Sequence, residues 1–239
     1  MIRQVLPAAS KKWVKRLIGW PDLEFGTLSY AQEGEDILLR RMLMGRACGF
    51  YVDVGAHHPL RFSNTYLFYR QGWRGINIEP RPGSKGLFDT FRPGDINLEL
   101  AIGSTLGEQT YYEYDEPALN TFDVEEVRLL ADRDIHPLRA VRVPMMRLSD
   151  VLDRHVPTGA SITFMSVDVE GMDLAVLATN DWSRYRPELI VAEDLALRSL
   201  ADAPGSPLAQ YLAHQGYQLC SRFLCSVLYR RGRGCEPSR

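Results

Sequence analysis

The chain has 239 residues, 45% of them hydrophobic and 24% charged, enough for one substantial core in a single domain. A formal net charge of −2 gives no basis for a nucleic-acid surface, which carries a basic excess. Four cysteines (Cys48, Cys220, Cys225, Cys235) show neither metal-ligand spacing nor a disulfide framework, a pattern that fits a reduced, cytosolic setting.

Residues 1–28 read as a separate N-terminal basic arm. Residues 1–20 of it carry Arg3, Lys11, Lys12, Lys15 and Arg16, without the continuous apolar core of a signal peptide. No run of about 18 apolar residues occurs anywhere, so no membrane-spanning helix is expected. Trp13, Leu17 and Trp20 share one helical face opposite the lysines. The expected structure is either a basic amphipathic helix at residues 11–20 that touches the inner face of a membrane, or a short helix packed on its own domain.

Residues 29–230 are expected to form the domain proper. Leu38, Leu39, Met42 and Leu43 recur at helical spacing behind Glu35 and Asp36, acids that favour a first helical turn. Phe50–Val54 is a strand entering Gly55, Ala56, His57, His58 and Pro59, and Ser63 is placed to cap a helix over Asn64–Gln71. Gly75–Ile78 is a second strand ending in Glu79 and Pro80, followed by a helix carrying Phe88 and Phe91. Ile96–Ala101 reads as a third strand and Gln109–Tyr114 as a further short one. Asp115–Pro137 is polar and irregular, with a helical patch at Val124–Ala131, and is expected to be an insertion or lid. Leu148–His155 is an amphipathic helix. Ile162–Asp168 and Glu188–Asp194 are strands separated by a helix near Leu174–Leu177, Pro207–Gln215 is helical, and Tyr217–Cys220 with Leu224–Tyr229 form a hairpin. Residues 231–239 have the composition of a disordered tail.

Strands alternating with helices predict an α/β fold with a mainly parallel, seven-stranded sheet closed by a C-terminal antiparallel hairpin, the layout of a Rossmann-like class I methyltransferase core. Four of the predicted parallel strands end in acids: Asp53, Glu79, Asp168, and Glu193 with Asp194. Strand ends of one parallel sheet face one crevice, where ligands of open α/β sheets bind. The loop after Val54 lacks the second and third glycines that seat a dinucleotide pyrophosphate, which disfavours an NAD enzyme. An Asp-Val-Gly-Ala turn without a phosphate cradle suits a cofactor that is neutral or cationic there and bears an amino-acid end, such as S-adenosylmethionine. Glu79, 24 residues past Gly55, stands where a ribose would offer two vicinal hydroxyls.

Four segments, Tyr30–Asp36, Phe50–Pro59, Gly72–Pro80 and Ser166–Gly171, together resemble the FkbM family of S-adenosylmethionine-dependent O-methyltransferases, over roughly Ser29 to Asp194. The resemblance implies methyl transfer to a hydroxyl, often on a sugar, glycan or glycosylated metabolite. Position by position, it assigns Asp53 and Gly55 to the methionine end of the cofactor, Glu79 to the ribose and Ala101 with Ile102 to the adenine. Asp168 would face the methyl group, and Gln32, Asn64 and Pro80 join the expected cofactor set. A first helix folding over the cofactor would account for Gln32, Glu35 and Asp36. His57, His58, Asp168 and Glu193 are the candidate bases. Asp168, Glu193 and Asp194 offer an oxygen set for Mg²⁺, by analogy with related sugar methyltransferases. Glu170 is expected to cap the following helix or bind backbone amides. Tyr111, Tyr112 and Tyr114 serve either sugar stacking or sheet packing. The competing function is a catalytically inactive binding module that keeps this fold.

Overall fold

The computed structural model describes residues 26–116 and 119–232. The helix expected at residues 11–20 and the tail beyond residue 232 lie outside the described residues. The central sheet contains β1 (Phe50–Val54), β2 (Arg74–Ile78), β3 (Ile96–Leu98), β7 (Ile162–Val167), β8 (Leu189–Glu193), β9 (Tyr217–Arg222) and β10 (Ser226–Arg231), in the order β3-β2-β1-β7-β8-β10-β9. The first five run parallel, while β10 is antiparallel to both β8 and β9.

Both faces of this sheet are covered, which is why its strands read as nearly unbroken apolar runs. One face presents Val52, Val54, Ile76, Met165, Val167 and Ile190 to helices α5 (Leu148–His155), α6 (Asp173–Leu177) and α7 (Pro207–His214), through Val151, Leu152, Leu177 and Leu212. The other presents Tyr51, Phe164 and Val191 to α1 (Glu35–Met42) and α2 (Tyr66–Arg70), through Leu39 and Phe68, with Trp73 beside them. Helix α3 (Ser84–Phe91) follows β2. Among the described residues no helix is long and apolar enough to cross a membrane.

Three expectations change. The third strand divides: Ile96–Leu98 stays in the main sheet, while β4 (Ala101–Ile102) leaves it for a second, three-stranded sheet of order β4-β6-β5. That small sheet contains β5 (Gly107–Glu113) and β6 (Arg139–Met146), and β6 was not expected at all. Two arginines and Pro144 disguise it, and of its side chains only Val143 is buried. The proline is tolerated because it falls one residue before β4 pairing begins at Met145. The stretch from 115 to 137 is therefore the connection between two antiparallel strands. It carries α4 (Val124–Ala131), capped by the Asp123 carboxylate, which accepts the Glu125 N–H at 2.8 Å.

Ser63 accepts the N–H groups of Tyr66 and Thr65 at 3.1 and 3.4 Å, so it does brace α2, whose N-cap position is taken by Thr65. The Thr65 hydroxyl is turned instead to Asp53. The Tyr30–Asp36 segment is a staple. Glu33 accepts the N–H groups of Leu224 and Cys225 in the β9–β10 turn, Glu35 accepts the Ser226 hydroxyl, and Asp36 accepts the Ser29 hydroxyl and the Tyr30 N–H. These contacts tie the entry to α1 onto the hairpin turn; Asp194 N–H, just past β8, donates to Cys225 O of the same turn.

Candidate active site

The loops leaving β1, β2, β7 and β8 meet at the carboxyl edge of the sheet, where a class of α/β crevice ligands binds. Gly55 makes the closest contact there. Its φ is +76°, and a Cβ on it would sit 1.8 Å from the Asp168 carbonyl oxygen, so only glycine lets the β1 and β7 loops come together. The N–H groups of Gly55 and Ala56 donate to Ile78 O, and Asp168 N–H donates to Val54 O, which ties three loops into one unit.

Asp53 lies under this unit, 4% exposed, and its partners among the described residues are protein groups. It accepts the Thr65 hydroxyl at 2.6 Å. The fully buried Arg92 donates to Thr65 Oγ1, to Tyr51 OH and to Asp95, and Tyr51 OH and Asn77 also donate to Asp95. Burial pushes the Asp53 carboxyl up, opposed by the Thr65 hydrogen bond and the Arg92 charge. An ion pair as deep as Arg92–Asp95 is costly to break because the surviving charge has no water.

Glu79 closes the β2 side. It is 8% exposed and accepts two backbone N–H groups, from His57 at 2.8 Å and Arg81 at 3.0 Å, while the Arg81 guanidinium donates to His57 O. Its carboxyl is raised by burial, opposed by these hydrogen bonds. Each oxygen has spent one lone pair and keeps another, so the group is aimed and still able to accept.

His57 and His58 have different surroundings. His57 takes a left-handed backbone (φ +52°) and stacks on Phe62. The Nδ1 of His58 accepts the N–H groups of Leu60 and Arg61, both at 3.1 Å, so its basic nitrogen is already engaged in holding the loop. Burial and the Arg81 charge hold both imidazoles below their ordinary pKa, which keeps them neutral near pH 7. Of the two, only His57 has its proton-accepting ring nitrogen free of the described hydrogen bonds, since the neutral His58 accepts through Nδ1 and carries its proton on Nε2.

The β7 and β8 ends bring carboxyls together. Asp168 is open to solvent on one side, yet its carboxyl is pushed up to about 7 by the protein packed round it and by the charges of Glu193, Glu170, Asp53 and Glu35. Glu170, in a left-handed backbone at φ +51°, is likewise raised to about 7, by burial and by Glu193 and Glu116. Glu193 is raised by burial, opposed by the Gly171 N–H. Asp173 is 2% exposed, accepts the Glu193 N–H at 3.0 Å, and is driven well above the ordinary range by burial and by Asp168 and Glu193. Its Oδ2 and Glu193 Oε2 are buried without a hydrogen-bond partner.

Asp194 stands apart from that group. Its carboxylate accepts the hydroxyl of Ser206, the N-cap of α7. Among the described residues no three Asp, Glu, His or Cys side chains are grouped so as to hold an ion, so the Mg²⁺ set expected from Asp168, Glu193 and Asp194 does not assemble. Of the other expected cofactor residues, Asn64 donates to Ser166 Oγ at 3.0 Å near the mouth, Pro80 is half-buried beside Glu79, and Gln32 is exposed in the staple segment. Ala101 and Ile102 are buried in β4, and Ala101 packs with Tyr111 and Val143 in the small sheet. Tyr111 is buried near Glu79, whose charge helps raise its phenol.

Sequence reasoning missed Asp173, Arg81, Thr65 and Arg92. An Asp opening a helix reads as an ordinary N-terminal acid. Nothing local to Asp173 shows that it meets the N–H of Glu193, 20 residues on.

A family model described as the methyltransferase FkbM domain matches residues 53–219. No curated protein matches the chain. Among solved structures, precorrin-6y C5,15-methyltransferase from Geobacter metallireducens GS-15 is similar at 13% identity and a TM-score of 0.40, covering 89% of this chain and 96% of that one. A TehB-like SAM-dependent methyltransferase from Corynebacterium glutamicum is similar at 12% identity and a TM-score of 0.42, covering 95% and 100%. A methyltransferase from Geobacter sulfurreducens is similar at 12% identity and a TM-score of 0.44, covering 96% and 92%.

Proposed function

From a chain that belongs to the FkbM methyltransferase domain family, with the seven-stranded class I methyltransferase sheet and an S-adenosylmethionine requirement to go with it, we infer an O-methyltransferase whose acceptor is a hydroxyl of a sugar, glycan or glycosylated metabolite. The observation that carries this reading is Asp168, a carboxyl at the solvent-open end of β7, in the loop packed against Gly55, and raised to about 7. A base whose pKa lies near the working pH best combines the deprotonated state with a drive to take a proton.

The residues present fit the cofactor. Glu79 has acceptor capacity for a vicinal diol, and the carboxyl-rich β7 end suits a cationic sulfonium. When bound, the cofactor would supply an electrophilic methyl group. The chain's part is alignment, exclusion of water and proton removal. Asp168 receives the acceptor proton, Asp53 and Thr65 hold the β1 loop from below, and Gly55 sets how near the loops stand. Alignment alone can lower such a barrier by about 7–11 kcal/mol. Titration calorimetry with S-adenosylhomocysteine, followed by turnover on a panel of free sugars, tests the reading; no cofactor binding removes it.

Glu79→Ala is expected to weaken S-adenosylhomocysteine binding by about 1.5–3 kcal/mol, the worth of hydrogen bonds to a charged group. Because alanine also strands two backbone N–H groups, Glu79→Gln is the cleaner probe, and its loss should be smaller. Unchanged affinity in both variants would remove Glu79 from the ribose role.

A pH dependence follows from the raised carboxyls. Asp168 and Glu170 hold their protons to about pH 7 in the folded chain but release them near their ordinary values of 3.8 and 4.5 when unfolded. Their contribution to stability is therefore full below about pH 4 and declines as pH rises to about 7. A bound sulfonium favours the ionised forms, so S-adenosylmethionine affinity should rise from pH 5.5 to 7.5 and then level. S-adenosylhomocysteine, which lacks that charge, should show a flatter profile. Parallel calorimetric profiles for the two ligands would sink the assignment.

A further inference from the structure

The amino edge of the sheet, at the far end from the crevice, carries a second concave surface. Trp73 precedes β2 and Glu188 precedes β8, so both stand where parallel strands begin. Beside them the last turn of α1 and the residues after it line a groove of about 550 Å³. Leu43, Phe68 and Trp73 give it an apolar lining and Arg40, Arg41 and Arg46 a basic one, with no acid lining it among the described residues. Arg46 is held by Glu188 through two hydrogen bonds, at 2.8 and 2.6 Å. Arg40 and Arg41 take part in none of the ion pairs among the described residues. Arginines in a last turn also favour the helix dipole. That does not account for Met44, 82% exposed in the groove lining, or for Leu28, 63% exposed next to Thr27 of the same lining.

Charge is divided unevenly along the chain. Up to Arg46 there are eight Lys and Arg against five Asp and Glu, and beyond it 20 against 25. Of those five acids, Glu33, Glu35 and Asp36 are bound in the staple at the other end of α1. Residues 1–25, with Arg3, Lys11, Lys12, Lys15 and Arg16, join the chain just before Thr27 and so at this face. Arm and groove carry the same sign, so they repel each other and share an attraction to anions. Basic side chains set beside exposed apolar ones match an anionic bilayer. The charges meet lipid headgroups while the apolar groups enter the boundary between headgroups and acyl chains. A nucleic acid offers the charge without that apolar layer.

We propose that this face docks on an anionic phospholipid bilayer, with Arg40 and Arg41 at the headgroup phosphates and Met44 and Leu28 in the interface. Strand β1 is five residues long, so at about 3.3 Å a residue the crevice stands about 17 Å further from the lipid. It therefore stays open to cofactor and acceptor. The docking does not depend on the reaction proposed for the crevice.

The test is flotation of the full chain with phosphatidylcholine vesicles, with and without phosphatidylserine, at low and at high salt. Binding is expected only where phosphatidylserine is present, and high salt should release it because screening shortens the reach of the charges. Arg40→Gln combined with Arg41→Gln should weaken binding by about twenty- to thirtyfold, from the usual worth of a basic residue near such a surface. Met44→Asp, at a position too exposed to matter for folding, should weaken it with the melting temperature unchanged. If the arginine variant proves less stable than the parent, Met44→Asp decides alone. No binding, or equal binding to the two kinds of vesicle, overturns the proposal. Unchanged binding in either variant also overturns it, since the groove then plays no part. Affinity for free glycerophosphoserine equal to that for vesicles would make this a small-anion site instead. A doubled mass without vesicles, lost in Met44→Asp, would assign the face to a second copy of the chain and overturn the bilayer.

Discussion

Asp168→Asn is expected to lower the single-turnover rate by about a hundred- to ten-thousandfold, the usual span for loss of a general base. S-adenosylhomocysteine affinity should change only severalfold, because asparagine keeps the size and hydrogen-bonding shape of the side chain. The two effects separate because the proton leaves the acceptor during transfer, whereas the thioether product carries no charge for Asp168 to meet. The variant should also flatten the rise in S-adenosylmethionine affinity between pH 5.5 and 7.5, since one of the two carboxyls raised to about 7 is gone. The rate is measured with any hydroxyl acceptor that the unaltered chain methylates. A rate close to that of the parent would leave no role for Asp168 as base. His57 would then be the next candidate, as its imidazole is neutral and stacked at the same mouth, while the Nδ1 of His58 is already in use.

Gly55→Ala is expected to be the most damaging single methyl in the crevice. The new Cβ would overlap the Asp168 carbonyl oxygen, a backbone atom that has no rotamer to escape into. The substitution also forces an L-residue to φ +76°, at about 1–2 kcal/mol. With overpacking adding about 1–3 kcal/mol, a total loss of about 2–5 kcal/mol is expected in urea denaturation. The β1 and β7 loops must move apart to relieve the clash, so cofactor binding should fall as well. Gly34→Ala is the control, because its φ is +88° but a Cβ there meets nothing within 4 Å. It should cost only the conformational part. Similar losses in the two variants would show that loop separation at Gly55 is not the cause.

The residues that identify the cofactor class lie in short segments whose meaning is local. Phe50–Gly55 is a strand running into a forced left-handed turn, and Gly75–Glu79 is a strand that stops at an acid and a proline. Their apolar runs, turn glycines and terminal acids are visible in the chain itself, and so is the alternation of strand and helix that implies a parallel sheet. The small sheet was less legible for a physical reason. Strand β6 gains its order from pairing with β5 over Arg139–Met145 and with β4 at its end, and its own residues have little strand character apart from Val141 and Val143.

The sequence by itself determined the fold class, the four acid-tipped strands and the loop that lacks a dinucleotide's glycine fingerprint, because each follows from spacing within a few residues of one element. Only the tertiary structure decided what those acids do. It turned Asp53 down onto Thr65 and the Arg92 layer, gave Asp194 to Ser206, engaged the Nδ1 of His58 with backbone amides, and set Asp173 against Glu193. It also showed the Tyr30–Asp36 segment to be a staple onto the hairpin turn. A carboxylate's role is set by which donors and charges surround it, and those arrive from elements as much as 192 residues away in the chain. Hydrogen bonding and desolvation depend on distance in space, and local pattern carries no record of that.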